Sequence, residues 1–375
     1  MLEIDFDRLR PIGLTPALAQ ALLQLQSTGG PTERVVRVTE VQRETVNVHD
    51  GTAEFTVRIA PPLQRALSAA DALAVGDWGI VRADVQGGVW LEHRAAPQTQ
   101  LARRASDGAR QAIVHNVDTA FLLMGLDGDF NPRRIERYLA LVQPAGIWPV
   151  IVLTKLDCVG DAAARVETLR TRIPGEVALV AVDATSPTAA QTLAPYFDAG
   201  RTIVLLGSSG AGKSTLTNTL AGAALQVTGT VRAADSRGRH TTTARTLHVV
   251  PGKACIVDTP GLRGLRPDID EDELSASFRD IDEAATRCRF RNCTHRAEPD
   301  CAVRAGVDAD RLANFQKLQR EIRHEHMDPL TRQQWVQQMK VRARAMRARI
   351  QTRRSRLRRG ARAGARLRAG AALVP

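Results

Sequence analysis

The chain has 375 residues, 43% of them hydrophobic and 4% aromatic, which is enough for two or three domains with sizeable cores. Its net charge of +12 arises in residues 329–375, which hold fourteen Lys or Arg and no Asp or Glu, whereas the other residues hold 38 basic and 40 acidic groups. The acidic start Met1–Asp7, an odd number of cysteines and the lack of an apolar run of ~18 residues argue against a secreted or membrane-spanning protein. We therefore expect a cytoplasmic monomer.

The first part of the chain is predicted to be a β-barrel behind a short N-terminal extension. The extension, residues 1–32, contains one helical stretch, Pro16–Leu25, with Thr15 as its N-cap. Residues 33–96 hold five short β-rich runs separated by turn signals: 35–39, 44–48, 53–59, 75–81 and 89–92. This pattern fits an OB-fold, which often binds nucleic acid, and another small barrel without a binding role is the alternative.

Residues 97–270 are predicted to form an α/β domain. After a segment that crosses from the barrel and ends near Val117, a strand at 118–124 is followed by a helix, Pro132–Val142, capped by Asn131. Further strands are predicted at 149–153, 177–182, 201–206, 244–250 and 254–257, of which 244–250 is expected at the edge of the sheet, with helices at 165–172 and 216–221. Strands that alternate with helices indicate a parallel sheet with helices on both faces.

Two loops after the earlier strands have the residue types of a guanine site. The first contains Thr154, Lys155, Leu156 and Asp157. The Asp157 carboxylate can accept two hydrogen bonds from the guanine ring and its amine, a pattern that adenine lacks, and the Lys155 stem can pack along the base. A solvated turn is the alternative. In the second loop, Asp183 and Ala184 fit the segment that backs the base through a main-chain N–H, although Asp183 could equally be a simple cap.

A phosphate-binding loop follows the strand at 201–206. Eight residues, which Thr215 follows, match G-x-x-x-x-G-K-[ST] at every fixed position: Gly207, Ser208, Ser209, Gly210, Ala211, Gly212, Lys213 and Ser214. The glycines let successive N–H groups point at a phosphate, and the helix start adds its positive end. Lys213 would reach the β- and γ-phosphates of GTP, and the Ser214 hydroxyl would hold Mg²⁺. A plain Gly/Ser turn is the alternative, but it does not explain why a strand precedes the loop and a helix follows it.

Two later segments have the residues of nucleotide switches. Asp258 to Gly261 matches D-x-x-G after a strand, so Asp258 would bind Mg²⁺ through water and the Gly261 N–H would sense the γ-phosphate. In the polar loop 238–243, one of three threonines would close on Mg²⁺: Thr241, Thr242 or Thr243. The sequence does not single one out, and we take the central one, Thr242, as the candidate.

The group that orients the hydrolytic water is not obvious. Leu262 stands where many GTPases place a glutamine, and an apolar side chain cannot position water. We therefore expect slow turnover alone and acceleration by a partner. His240 is a candidate for the missing catalytic function, and an exposed loop histidine is the alternative.

A cysteine-rich knuckle lies within residues 271–328. Three thiols and one imidazole fall within fourteen residues: Cys288, Cys293, His295 and Cys301. This donor set suits tetrahedral Zn²⁺ and leaves no open coordination position, so we predict a structural zinc site rather than a chance cluster. The nearby arginines could contact RNA phosphates or form a solvated face. A helix at 308–325, with Leu312, Phe315, Leu318 and Ile322 on one side, is predicted to pack on this region.

The order of the motifs is that of a circularly permuted GTPase, because the guanine loops precede the phosphate loop. With the barrel before and the knuckle after, the chain resembles the circularly permuted, ribosome-associated GTPases of the RsgA family, also called YjeQ, over about residues 34–325. Other matching residues are Val75–Trp78, Asn116–Asp118, Arg137–Leu139 and Gly238–Thr243. The chain departs from the family pattern at Thr154, where Asn is usual, and at Asp183, where Ser is usual.

The resemblance implies a GTPase that binds the small ribosomal subunit and its rRNA and acts late in its maturation, with zinc at the knuckle and turnover stimulated by the ribosome. The basic residues 329–375, a predicted helix and tail, would anchor rRNA phosphates or simply remain solvated. Two other functions compete with this prediction. One is a metabolic P-loop kinase or ATPase, which Asp157 argues against, and the other is an RNA-binding scaffold with a slow or vestigial nucleotide site.

Overall fold

A computed structural model describes residues 2–25, 33–42, 44–68, 71–104, 109–225, 245–259 and 268–325. It begins with two short helices, α1 (Phe6–Leu9) and α2 (Pro16–Leu23). The predicted cap is confirmed, since Thr15 Oγ1 accepts a hydrogen bond from the Leu18 N–H at 3.2 Å. Apolar side chains of this segment join the main core of the molecule: Leu9, Ile12, Leu14, Leu18 and Leu22.

The predicted barrel is confirmed and is closed. Its strands are β1 (Glu33–Val41), β2 (Thr45–His49), β3 (Glu54–Ile59), β4 (Trp78–Ala83) and β5 (Val89–Arg94), with α3 (Pro61–Ala66) between the third and fourth. The strands pair in the order β1-β2-β3-β5-β4, and β4 also pairs with β1. The β3–β5 pair is parallel and the others are antiparallel, as in an OB-fold. Valines and Leu91 that alternate along the strands fill the interior.

The predicted crossing segment is more regular than the sequence indicated. It contains an antiparallel pair of strands, β6 (Gln100–Arg104) and β7 (Arg110–His115), which form a separate two-stranded sheet.

The α/β domain follows the predicted alternation of strands and helices. Its elements are β8 (Thr119–Gly125), α4 (Pro132–Val142), β9 (Trp148–Thr154), α5 (Ala162–Arg170), β10 (Ala178–Ala181), α6 (Pro187–Leu193), β11 (Thr202–Gly207), α7 (Lys213–Ala221), β12 (Thr246–His248) and β13 (Cys255–Asp258). The strand order is β10-β9-β8-β11-β13-β12, and every neighbouring pair but the last is parallel. Asn131 precedes α4 as predicted, but its side chain makes no capping hydrogen bond.

The predicted edge strand at 244–250 is not an edge. β12 pairs with β13 on one side, and on the other Thr246 is paired with Glu40 of β1. The α/β sheet therefore continues into the barrel, and the two form a single sheet of eleven strands.

A buried arginine joins the N-terminal segment, the barrel and the α/β domain. Arg37 is 0% exposed; its Nη1 donates to Ile12 O and to Thr202 Oγ1 at 2.8 Å, and its Nη2 donates to Asn116 O at 2.9 Å. Gly13 has φ +95°, and a Cβ there would lie 2.2 Å from Arg37 Nη1, so glycine is required at this position. Breaking a buried, hydrogen-bonded charge of this kind costs about 3–5 kcal/mol.

The last described elements are four helices: α8 (Glu271–Ser277), α9 (Arg279–Ala285), α10 (Ala302–Gly306) and α11 (Ala309–Glu325). The apolar side of α11 predicted from the sequence is buried, with the Phe315 and Phe278 rings 5.3 Å apart. Residues 1–322 form one compact unit. Within the part of the chain that the structure covers, no helix combines the length and apolarity needed to cross a membrane.

Candidate functional site

The predicted nucleotide motifs lie at one edge of the parallel sheet. β9, β8, β11 and β13 are neighbours, so their carboxyl ends place Thr154, Gly207 and Asp258 on the same edge. Ligands of open α/β sheets bind at this edge, because the loops that follow the strands open a crevice there.

The phosphate loop has the conformation that its glycines predict. Gly210 and Gly212 have φ +84° and +85°, values that residues with a Cβ rarely adopt. Lys213 begins α7 and folds over the loop, donating from Nζ to Gly207 O at 2.8 Å and to Ser208 O at 2.7 Å. The remaining loop residues range from buried Ala211 through half-buried Ser214 and Thr215 to exposed Ser209.

The guanine loop is fastened to the phosphate loop. Thr154 is 0% exposed, and its Oγ1 donates to Ala211 O at 2.9 Å. Lys155 has φ +61°, a strained value for a side-chain-bearing residue, which turns the chain sharply after β9. Leu156 and Asp157 follow in an exposed 3₁₀ turn. The Cys158 thiol donates to Asp157 Oδ2 at 3.3 Å, and this bond raises the pKa of Cys158.

The second loop of the guanine site forms a turn that is stabilised by hydrogen bonds within the loop. Asp183 Oδ1 accepts hydrogen bonds from Thr185 Oγ1 at 2.7 Å and from Thr185 N at 2.9 Å, and these bonds lower the pKa of Asp183. Asp183 therefore stabilises the turn before α6, and the N-cap of that helix is Ser186 rather than Asp183. Ala184 O accepts from Thr219 Oγ1 of α7 at 2.7 Å, which fixes this loop against the helix that follows the phosphate loop.

The magnesium side of the site is described only in part. Asp258 is half-buried at the end of β13, and Thr259 next to it is held by a hydrogen bond from its Oγ1 to Leu205 O at 2.8 Å. The Ser214 hydroxyl and the Asp258 carboxylate are hard oxygen donors that fit Mg²⁺. Five of the predicted switch residues lie outside the described residues: His240, Thr241, Thr242, Thr243 and Gly261.

Sequence reasoning missed three charged residues beside this edge. Asp127 and Asp129 follow β8, and Arg134 lies in the first turns of α4. Arg134 Nη1 donates to Ser208 Oγ in the phosphate loop at 2.8 Å, and Lys155 Nζ donates to Asp127 Oδ2 at 2.7 Å. Two acids directly after a buried strand were the available signal. Partial burial raises the pKa of the Asp127 carboxyl, but the hydrogen bonds from Lys155 and from backbone N–H groups, together with the lysine charge, leave that pKa below its ordinary value.

The four knuckle residues come together as predicted. One ligand atom from each of Cys288, Cys293, His295 and Cys301 lies within 4.8 Å of the others. His295 Nδ1 is 3.4 Å from the Cys301 Sγ and 3.7 Å from the Cys288 Sγ, and those two sulfurs are 3.9 Å apart. Tetrahedral ligation with Zn–S bonds of about 2.3 Å separates sulfurs by about 3.8 Å. The cluster can therefore hold one metal ion, and its donor set fits zinc.

The surroundings of the knuckle hold it in shape. His295 has φ +57°, and its carbonyl accepts a hydrogen bond from Gln316 Nε2 of α11 at 3.1 Å. Glu298 accepts from the backbone N–H groups of Thr294 and Arg296, both at 2.9 Å. The knuckle arginines are exposed: Arg287, Arg289, Arg291 and Arg296.

Two family models match the chain. The model described as RsgA GTPase matches residues 95–267, and the one described as ABC transporter matches residues 191–359. Both matches contain the phosphate loop, but only the RsgA match also contains the guanine loop at Thr154–Asp157.

Curated relatives cover most of the chain. A small ribosomal subunit biogenesis GTPase RsgA from Xylella fastidiosa (strain M23) is 48% identical over 277 residues, 71% of this chain and 78% of the relative. The protein of the same name from Xanthomonas axonopodis pv. citri (strain 306) is 42% identical over 334 residues, 85% of this chain and 89% of the relative.

Two solved structures share the fold. YjeQ from Thermotoga maritima superposes with a TM-score of 0.57 at 24% identity, covering 77% of this chain and 98% of that one. YloQ, described as a circularly permuted GTPase, has a TM-score of 0.53 at 24% identity, covering 81% of this chain and 100% of that one.

Proposed function

The chain belongs to the RsgA family of GTPases, and from this premise we propose that it binds the small ribosomal subunit and couples GTP hydrolysis to late maturation of that subunit. The 48%-identical relative, a small ribosomal subunit biogenesis GTPase, supports the biological role. The chain's own support is the guanine and phosphate loops on one sheet edge, joined by the hydrogen bond from Thr154 to Ala211.

We assign nucleotide binding to the loops at this edge. The N–H groups of the phosphate loop would bind the β-phosphate, and Lys213 would leave the loop carbonyls for the phosphate oxygens. Asp157 would select guanine through two accepted hydrogen bonds. Ser214 and Asp258 would hold Mg²⁺, which, when bound, neutralises charge that develops on the phosphates. Gly261 and Thr242 keep their predicted switch roles as proposals.

The hydrolytic water needs a group that the phosphate loop does not supply. Leu262 has no polar atom, so we infer that the isolated protein turns over slowly and that docking on the ribosome accelerates hydrolysis. His240 is the candidate for the group that docking brings into place.

We propose that the knuckle holds one structural zinc. Four protein ligands would fill a tetrahedral shell, so the ion would stabilise the fold of residues 288–301 rather than activate water. The barrel, the exposed knuckle arginines and the basic residues 329–375 are the surfaces proposed for rRNA. Activity on ribosomal subunits would place the protein in the cytoplasm, where it would act as a monomer.

The test is GTP hydrolysis by the full chain with and without purified small subunits. We expect stimulation by the subunit of about tenfold or more, and a loss of about 10²–10³-fold in the Lys213→Ala variant. Asp198→Asn, a change at an exposed acid far from the site, serves as the matched control and should behave as wild type.

Each other outcome identifies a competing function. Tight GTP binding without stimulation would remove the small subunit as the activator. Subunit binding with no hydrolysis in the wild type would favour the RNA-binding scaffold, and a preference for ATP would favour a P-loop ATPase.

A further inference from the structure

The loop after β8 lies between the two halves of the nucleotide site. β8 is paired with β9 on one side and with β11 on the other, so residues 126–131, here called the acidic loop, lie between the guanine loop and the phosphate loop. None of the predicted motifs includes this loop, yet its two carboxylates contact both neighbours.

One contact faces the guanine loop. Lys155 Nζ donates to Asp127 Oδ2 at 2.7 Å, with about a quarter of the lysine side chain exposed. Arg165 of α5 supports the same corner by donating from Nη1 to Leu126 O at 2.5 Å and to Asp127 O at 3.0 Å. A Cβ at Gly125 would lie 2.5 Å from Asp127 Oδ1, so glycine at this position allows the carboxylate to approach closely.

The other contacts face the phosphate loop. Ser208 Oγ donates to Asp129 Oδ2 at 2.6 Å and accepts from Arg134 Nη1 at 2.8 Å. The same Nη1 also donates to Asp129 Oδ1 at 2.6 Å, which closes a ring of three side chains. Both functions of the serine hydroxyl are used, so the side chain has one preferred orientation.

Backbone N–H groups in and next to the acidic loop donate hydrogen bonds to its two carboxylates. The Asp129 N–H donates to Asp127 Oδ1 at 3.2 Å, and the Gly125 N–H donates to Asp129 Oδ2 at 3.3 Å. Hydrogen bonds therefore connect Lys155 to Ser208 without a break, through Asp127 and Asp129. A direct tie between the two loops is the hydroxyl hydrogen bond from Thr154, where the amide of the usual asparagine would offer two donors.

We propose that Asp127 and Asp129 are positioning residues that couple the guanine loop to the phosphate loop, so that base recognition and phosphate binding strengthen each other. The proposal rests on the proposed binding of GTP and deepens it. Loops held in the bound geometry lose less conformational entropy on binding, which raises affinity without a new contact to the nucleotide. Such coupling is a free energy shared by the two subsites and is reciprocal.

The test is a double-mutant cycle on GDP affinity in the full chain. Asp127→Asn weakens the tie to Lys155, and Ser208→Ala opens the ring around Asp129; the two side chains share no direct contact. We expect each change to weaken GDP binding by about three- to tenfold. The double variant should bind GDP no more tightly than either single one, and at least about threefold more tightly than the product of the two effects predicts.

Kinetics and a conservative change separate positioning from simple destabilisation. The KM for GTP should rise in both single variants, and in Asp127→Asn, which lies outside the phosphate loop, kcat should change by less than about twofold. Asp127→Glu retains the charge and should recover most of the affinity lost in Asp127→Asn. Asp198→Asn, the exposed control, should leave the dissociation constant for GDP unchanged.

Two outcomes would overturn the coupling. If the effects of the two changes multiply to within a factor of about two, the loops act independently. If neither variant alters GDP affinity, the acidic loop has no role in binding. In both cases the wild type still binds GDP, which leaves the proposed function intact, whereas a wild type that binds no guanine nucleotide would overturn the proposed function as well.

Discussion

The knuckle and the nucleotide site are assembled in opposite ways. The four knuckle ligands lie within fourteen residues of sequence, so a short loop is enough to bring them together. The nucleotide site gathers loops from Asp127 to Asp258, and adjacent strands in the sheet are distant in sequence. Local chain geometry brings the knuckle ligands together, whereas the nucleotide site exists only once the parallel sheet has formed.

A buried carboxylate joins α4 of the α/β domain to α11, the helix that contacts the knuckle. Glu136 of α4 is 2% exposed and accepts hydrogen bonds from Arg172 Nε at 2.8 Å and from Asn314 Nδ2 of α11 at 2.5 Å. Arg311 of α11 pairs with it at 3.2 Å. Arg134 of the same helix contacts the phosphate loop, so α4 makes contacts toward both regions. The comparison can therefore be tested at each region and at their junction.

The largest effect is expected at the knuckle. Cys293→Ser removes one of the four ligands, and structural zinc contributes on the order of 10 kcal/mol to the folding of such sites. Metal content should fall from about one ion per chain to nearly none, and amide exchange in residues 288–301 should rise at least about 100-fold. Because the nucleotide site is assembled separately, GDP affinity should change by less than about twofold.

The control for this experiment is Cys158→Ser, an exposed cysteine outside the cluster, which should retain the metal. Elemental analysis identifies the ion. If GDP binding were lost together with the metal, the two regions would depend on each other, which would contradict their separate assembly.

The next effect is expected at the junction. Glu136→Gln leaves Arg172 and Arg311 short of a buried counter-charge and should lower the free energy of unfolding by about 3 kcal/mol. Urea denaturation followed by tryptophan fluorescence measures the global stability, and amide exchange on α11 measures the stability of the helical region. We expect both to be destabilised in one transition.

Glu167→Gln on α5 is the matched control, since Glu167 is exposed and its loss should change stability by less than about 0.5 kcal/mol. Destabilisation confined to α11 would show that the junction does not link the two regions.

The smallest effect is expected at a surface pair of the same junction. The hydrogen bond from Arg133, supported by Arg172, lowers the pKa of Asp310 to about 2. A lowered folded-state pKa stabilises the protein above the unfolded value of about 3.9, and this contribution is lost as pH falls through about 2. The Asp310 side chain is 46% exposed, so screening by solvent limits the contribution to about 0.5 kcal/mol.

Asp310→Asn should therefore lower the unfolding free energy slightly at pH 7 and not at pH 2, as measured by urea denaturation at both values. Asp300→Asn provides the control, because Asp300 pairs with Arg289 in a more exposed setting, with 68% of its side chain accessible. A difference at pH 2 as large as that at pH 7 would contradict the assigned pKa.

Much of the fold could be predicted from local patterns. The barrel strands, the alternation of the α/β domain and the buried side of α11 follow from periodicities of two and 3.6 residues, which depend only on near neighbours. The phosphate loop and the knuckle ligands were equally visible, because their chemistry requires particular residue types at short spacing.

Other features required the folded chain. The β6–β7 hairpin, the pairing of β12 with β1 and the burial of the N-terminal helices depend on partners far away in sequence, which no local window contains. Arg37 illustrates this: a charged residue in a strand predicts exposure, yet it is 0% exposed because three distant segments supply acceptors.

The sequence by itself determined which loops carry nucleotide and metal chemistry, since each motif is a contiguous run whose residue types have few other uses. Only the tertiary structure decided how those loops contact each other. The acidic loop lies between the guanine and phosphate loops because β8 is placed between β9 and β11, and strand order is set by the packing of the whole sheet. Side-chain ties such as Asp129 to Ser208 then form between residues that are 79 positions apart.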